Sequence, residues 1–237
     1  MFLLTKENFS DIITVLLNNL VIEWGGGQTQ LRNDELAERI LEAAKSEFLE
    51  KGYRQASVRS IAASVGVTTG ALYRYYANKE ALFDALVSGP ADYLYDQCKS
   101  FSEAYSRQEL DEQLANLPEL TRDSDGGTSD FLKYIYQNYD AFKLIVCCSA
   151  GTKYEDYPER LIAIETASSA ALVHLMQKAG RLSSDLDDTM IHIVVSSMFT
   201  GIFEIIAHDA PMDVALRHIS ILQDFYTAGW YKILGIL

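Results

Sequence analysis

The stretch Ser57-Val58-Arg59-Ser60-Ile61-Ala62-Ala63-Ser64-Val65-Gly66-Val67-Thr68-Thr69-Gly70-Ala71-Leu72-Tyr73-Arg74-Tyr75-Tyr76-Ala77-Asn78-Lys79-Glu80 decides the fold. Val58, Ile61, Ala62 and Val65 give a first short helix one buried stripe. Gly66 stands where a left-handed residue ends such a helix, and Val67 plugs the corner. Thr68 is a good cap for a second helix. Leu72 and Tyr76, four apart, are that helix's inward face. Thr69, Gly70, Tyr73 and Arg74 are left pointing outward. Two short helices about a tight corner make a helix-turn-helix, whose second helix enters a DNA major groove.

The outward residues suit that task. Gly70 and Ala71 let the backbone come close to base edges, Thr69 can bond to a base or phosphate, and the Ala71 methyl can meet a thymine methyl. Arg74 can reach guanine or a phosphate, while Tyr73 and Tyr75 offer hydroxyls to the DNA backbone. Ser57 and Arg59, at the start of the preceding helix, reach flanking phosphates. Lys79 is the sharpest single signal. A cation in the first turn of a helix opposes the macrodipole, so the placement makes sense if an anion docks there. With Thr68, these residues form the candidate DNA-binding set.

Charge supports the assignment only when taken by segment. The whole chain of 237 residues carries a net charge of −13, which argues against nucleic acid. Residues 51–79, however, hold Lys51, Arg54, Arg59, Arg74 and Lys79 and no Asp or Glu. Residues 80–237 hold 11 Lys/Arg against 24 Asp/Glu. One short basic window therefore sits inside an acidic protein.

From Asn33 onward the periodicity is helical, and no alternating run argues for a sheet. Leu36, Ile40, Ala44 and Phe48 recur every four residues, with Asn33 or Asp34 as cap and Gly52 as stop. Helices are expected at about 57–65 and 68–75, then from Asn78 to Gly89-Pro90 or past it. Residues 123–129 are a loop by composition, and further helices run at about 129–148, 158–180, 186–208 and 212–235. The expected fold is all-α.

Residues 34–88 resemble the DNA-binding domain of TetR/AcrR-type transcriptional repressors. The resemblance is carried by Phe48-Leu49-Glu50-Lys51-Gly52-Tyr53, by Val58-x-x-Ile61-Ala62, and by Gly66-Val67-Thr68-x-Gly70-x-Leu72-Tyr73-x-Tyr75-Tyr76-x-x-Lys79-Glu80-x-Leu82. The family usually has Phe where Tyr76 stands. The resemblance implies that Ser57, Arg59, Thr69, Gly70, Ala71, Tyr73, Arg74, Tyr75 and Lys79 face DNA. It implies a helix-turn-helix domain at 31–88, followed at 89–237 by a helical ligand-binding and dimerisation domain. The expected partners are a palindromic double-stranded operator, a second copy of the chain and a small hydrophobic effector that releases the DNA.

In the second domain, apolar residues on most of the circumference of helix 188–207 and of the last helix mark them as buried or interfacial. The resemblance favours a symmetric four-helix interface with Ile191, Val195, Met198, Ile202, Ile221 and Phe225 at its centre. The effector is expected between residues 90 and 185 against Tyr105, Phe131, Tyr134, Tyr139, Phe142 and His174, aromatics with polar tips suited to an amphipathic ligand. The acidic excess there favours lipophilic cations.

Other chemistry is disfavoured. Cys98, Cys147 and Cys148 make neither a disulfide framework nor a zinc site, and are read as buried thiols in a reducing cytoplasm. His174, His192, His208 and His218 show no metal-ligand spacing, and no cofactor loop or nucleophile–base set is visible. Residues 12–24 are too short and polar to span a bilayer, so no membrane role is expected. Two readings of residues 1–30 stay open: a short helix capped by Ser10, or a segment outside the native protein, with translation starting at Leu31. The rival function is a helical protein-interaction module whose helix-turn-helix is only structural.

Overall fold

The computed structural model describes residues 28–121, 127–182 and 186–236, so all but the last three residues of the 1–30 segment, with its two open readings, lie outside it. The described elements are helical in order: α1 Gln28–Gln55, α2 Val58–Ser64, α3 Thr69–Leu72, α4 Lys79–Ser106, α5 Leu110–Thr121, α6 Gly127–Gln137, α7 Tyr139–Lys143, α8 Tyr157–Lys178, α9 Asp188–Ala207 and α10 Met212–Leu234. A π-helical turn, Leu144–Cys148, continues α7. The all-α expectation holds.

The chain divides into two compact units. One contains the helix-turn-helix through Asp92 together with Asn138–Glu155, and the other contains Tyr93–Gln137 and the residues from Asp156. This division lies four residues beyond the expected boundary at 88. It also assigns α7 and its π turn to the helix-turn-helix unit, although they follow 45 residues of the other unit in sequence.

In the helix-turn-helix unit, the four-residue stripe of α1 is the core: Ile40, Ala44 and Phe48 are fully enclosed. Phe48 meets Phe83 of α4 edge-on at 5.2 Å between centroids, and Tyr53 meets the same ring at 5.5 Å, arrangements that add to simple burial. Ile61 and Ala62 of α2 and Leu72 of α3 complete the core, and α7 with its π turn contributes Phe142, Leu144 and Ile145. Gly52 breaks α1 as expected, at φ 71° and ψ 161°. Gly66 ends α2 at φ 76°. There the Val67 N–H donates to the Ala62 carbonyl at 2.9 Å and the Gly66 N–H to that of Ala63 at 3.1 Å, the paired bonds of a Schellman stop.

The second unit is built on α8, α9 and α10, with Leu172, Val173, Met176, Ile191, Val195 and Ile206 enclosed. A further cluster joins Leu132 of α6 to Ile205, Ala215 and Ile219. By length and composition α9 could cross a bilayer. Its Ile191, Val195, Met198, Phe199, Ile205 and Ile206 are instead buried by the unit itself.

Several expected boundaries change, beginning with α1, which already runs from Gln28 and so leaves Asn33 and Asp34 inside the helix rather than at its cap. Helix α5 was missed although Leu110, Leu114 and Leu117 recur at helical spacing, because Pro118 stands within the pattern and reads as a breaker. The expected loop at 123–129 is already helical from Gly127. The single helix expected at 129–148 is interrupted at Asn138, where φ is −119° and ψ 34°, before α7 begins.

The Schellman stop gives a direct test. A Cβ at Gly66 would meet nothing within 4 Å, so Gly66→Ala carries only the strain of a positive φ. Chemical denaturation should show a loss of about 1 kcal/mol for Gly66→Ala and a smaller one for Gly66→Asn, which tolerates that conformation better.

Candidate nucleic-acid interface

The two helices of the corner are each capped as their sequences require. Ser57 is extended, and its Oγ accepts the Ser60 N–H that opens α2. Thr68 is likewise extended, and its Oγ1 accepts the Ala71 N–H at 3.1 Å. Helix α3 has only four residues, Thr69–Leu72, and Tyr73 to Tyr75 continue as turns. The second helix is therefore shorter than the expected 68–75. Leu72, fully enclosed, anchors it to the core.

Around that anchor Gly70, Tyr73 and Arg74 face outward as expected, whereas Thr69 does so only in part. Ser57, Arg59, Thr68, Gly70, Tyr73 and Arg74 are exposed, with Tyr73 at 48%. Thr69, Ala71, Tyr75 and Lys79 are half-buried. Tyr76, expected in the core, is also only half-buried, and burial raises its hydroxyl pKa. Gly70 has an ordinary φ, and a Cβ there would meet nothing closer than Thr68 Oγ1 at 3.9 Å. Nothing within the described chain requires glycine at this position. The room it leaves is on the outer side.

Lys79 is placed differently from the expectation. Its Nζ donates to the Ala56 carbonyl at 2.7 Å and to the Arg54 carbonyl at 3.3 Å, and lies 4.6 Å from the Tyr53 ring centroid. The ammonium thus satisfies carbonyls at the C-terminal end of α1, where a cation is electrostatically favoured. Burial lowers its pKa, and Glu47 opposes that shift.

Glu47 is a residue the sequence reading missed. It is buried at 7% exposure, and its carboxylate accepts from Lys51 Nζ at 2.8 Å, the Ser57 N–H at 3.0 Å and Ser60 Oγ at 3.0 Å. The Lys51 bond leads the causes that hold its pKa below the usual carboxylate range. The only sequence signal is the i, i+4 pair with Lys51, which reads as an ordinary surface ion pair.

The expected effector residues do not all share one unit. Tyr105 is buried and donates to the Gln113 carbonyl at 3.0 Å. Tyr134 lies 4.5 Å from Tyr93 between ring centroids, and burial pushes its pKa up to about 12. Phe131 is half-buried. Tyr139 and Phe142, however, belong with the helix-turn-helix unit, and Phe142 is core there. His174 is exposed, with Nε2 2.8 Å from Asp188 Oδ1, so it is a surface partner of an acid rather than part of a pocket wall.

The expected interface residues also divide. Ile191, Val195 and Met198 are 0–8% exposed within a single chain, so they are core and present nothing to a partner. Ile202 is half-buried. Ile221 and Phe225 are 65% and 70% exposed, and α9 adds Met190 and Ile193 at 47% and 53%. Periodicity marked both helices as apolar without separating the inner face from the outer one. The thiols divide similarly: Cys98 and Cys148 are buried, with Cys98 pushed up to about 12 by desolvation, whereas Cys147 is exposed, contrary to expectation. Among the described residues no group of three or more His, Cys, Asp or Glu is gathered to hold a metal.

Comparison with known proteins agrees with this geometry. Residues 40–86 match the family model for bacterial regulatory proteins, tetR family. The HTH-type transcriptional repressor KstR2 of Mycobacterium tuberculosis is 41% identical over 69 residues, which cover 29% of this chain and 32% of KstR2. The HTH-type transcriptional regulator UidR of Escherichia coli is 41% identical over 49 residues, 21% of this chain and 25% of UidR. The chain thus spans about a third or less of the length of these relatives. A crystal structure of a TetR-family transcriptional regulator from Syntrophomonas wolfei aligns with 86% of this chain and 98% of its own, at 19% identity and a TM-score of 0.49. By residues 40–86 the chain carries a helix-turn-helix segment of the kind found in the tetR family of bacterial regulatory proteins.

Proposed function

We propose that the chain is a cytoplasmic transcriptional repressor that binds a palindromic operator as a homodimer and is released by a small hydrophobic effector. The observation that carries the reading is the outer surface of α3. Gly70 leaves room that the chain itself does not use, beside exposed Tyr73 and Arg74, while Leu72 fixes the helix from behind. Close backbone approach with flanking donors is what base-edge and phosphate contacts need. The window from 51 to 79 without acids supplies the sign of charge. KstR2 is named a repressor, which supports repression here.

One such corner makes few contacts, and two half-sites read together supply the rest. The exposed Ile221 and Phe225 of α10 support pairing of two chains through that helix. Tyr105, Phe131 and Tyr134 remain the effector candidates. Helix α4 is unbroken from Lys79 to Ser106 and contributes residues to both units, so it is the candidate route from effector to DNA.

Fluorescence anisotropy with duplexes from around the protein's own gene, titrated in salt beside a scrambled duplex, tests the reading. Specific binding with a steep salt slope is expected; equal binding to every duplex would favour the interaction-module alternative. Tyr73→Ala or Arg74→Ala should weaken operator binding about tenfold, or roughly 1.4 kcal/mol. Lys79→Met should lower the melting temperature by several degrees with little change in salt slope, because its ammonium is engaged by backbone carbonyls. A full unit lost from the salt slope per subunit would return Lys79 to a phosphate role. Phe225→Glu should sediment as a monomer and lose operator binding while keeping its helical circular dichroism.

A further inference from the structure

We propose that Glu47 is a positioning residue that caps α2 from a neighbouring helix and thereby sets the DNA preference of the corner; this rests on the DNA-binding reading above. The argument starts from an unfinished local pattern. In a capping box the N-cap hydroxyl accepts the N–H three residues on, and an acid or amide at that third position accepts the N-cap N–H in return. Here the first half is present, with Ser57 Oγ accepting the Ser60 N–H at 3.4 Å. The second half cannot come from Ser60, whose hydroxyl is too short to reach back. Instead Glu47 Oε1, from α1, accepts the Ser57 N–H at 3.0 Å, and Glu47 Oε2 accepts the Ser60 hydroxyl at 3.0 Å. The reciprocal cap is thus divided between two helices.

The division has an electrostatic reason. The first turn of α2 contains no acid, and its Ser57 and Arg59 lie on the exposed side. An acid at position 60 would complete the cap within α2 but would add a negative charge near the surface meant for phosphates. Glu47 supplies the same acceptor from inside. It is 7% exposed and paired with Lys51 at 2.8 Å. Burying a carboxylate is costly unless it is paired and hydrogen-bonded, and both oxygens are engaged here. Such a bond is also directional. It fixes the start of α2 relative to α1, and the Gly66 corner passes that register on to α3.

Two variants and three readouts test the proposal. Glu47→Leu removes the acceptor, and Glu47→Gln/Ser60→Glu moves the acid into α2 itself. Melting temperature is followed with operator and scrambled-duplex anisotropy, and with hydrogen exchange at the Ser57 amide. Glu47→Leu should lose about tenfold in operator affinity well below its melting temperature, and its Ser57 amide should exchange at least tenfold faster. The double variant should recover melting temperature and Ser57 protection but not operator affinity. Operator affinity within twofold of wild type in a destabilised Glu47→Leu would reduce Glu47 to a stabilising cap and overturn the proposal, as would unchanged Ser57 exchange. Absence of operator preference in the unaltered chain would overturn the DNA-binding reading as well, so the two failures are distinguishable.

Discussion

Backbone carbonyls at the C-terminal end of α1 need donors, and the Lys79 ammonium provides them. The bonds to Ala56 and Arg54 bring the first residue of α4 onto the chain between α1 and α2. Three helices meet there, and the positions of the others follow. Phe83 lies one turn further along α4 and meets both Phe48 and Tyr53. Glu47 lies two turns before the end of α1 and holds the start of α2. The corner that presents α3 is therefore braced by one half-buried cation and one buried anion, each satisfied mainly by groups at helix ends. Both charges are engaged by groups of the same unit. Arg59 and Arg74 are exposed on the corner's own helices and turn.

The segment Asn138–Glu155 braces the same unit from the other side. Asp140 pairs with Lys45 of α1 at 2.9 Å. Asp84 of α4 receives Lys153 at 2.6 Å and the Tyr154 hydroxyl at 2.5 Å, and these bonds hold its pKa below the usual range. Arg54 reaches Glu155 at 3.5 Å. The pairs that are half exposed each contribute little, and their alignment along one strand of chain matters more than any single energy. Tyr154 is buried and packs near Phe83, so its ring adds an apolar anchor among the charges.

How much of this could be read from the sequence depended on the range of the interaction. The corner was legible because its signals are local: a stripe at 58, 61, 62 and 65, a glycine at 66, a threonine at 68 and a leucine at 72. The structure buries Ile61, Ala62 and Leu72, places Gly66 and Thr68 as expected, and leaves Val58 and Val65 half-buried. Helix α5 was illegible because Pro118 interrupts the short leucine pattern at 110, 114 and 117. The roles of Glu47 and Lys79 were illegible for another reason. Their partners lie 10 to 25 residues away, where side-chain type alone does not disclose direction. The same limit explains Ile191, Val195 and Met198. An apolar helix is equally consistent with an inner face and an outer one, and only packing showed that these three point inward. Tyr139 and Phe142 joined the unexpected unit because the chain returns to α1 after α6, which periodicity does not encode.

The inward face of α9 has a consequence for assembly. Because Ile191, Val195, Met198 and Ile206 are enclosed by their own chain, the second unit has a hydrophobic core without help from another copy. Association of two chains would then be a docking of surfaces already formed, rather than folding completed on contact. Its kinetics would be bimolecular encounter followed by side-chain adjustment. Dilution would separate the copies before it unfolded them, so the melting transition of the separated chain would not depend on protein concentration.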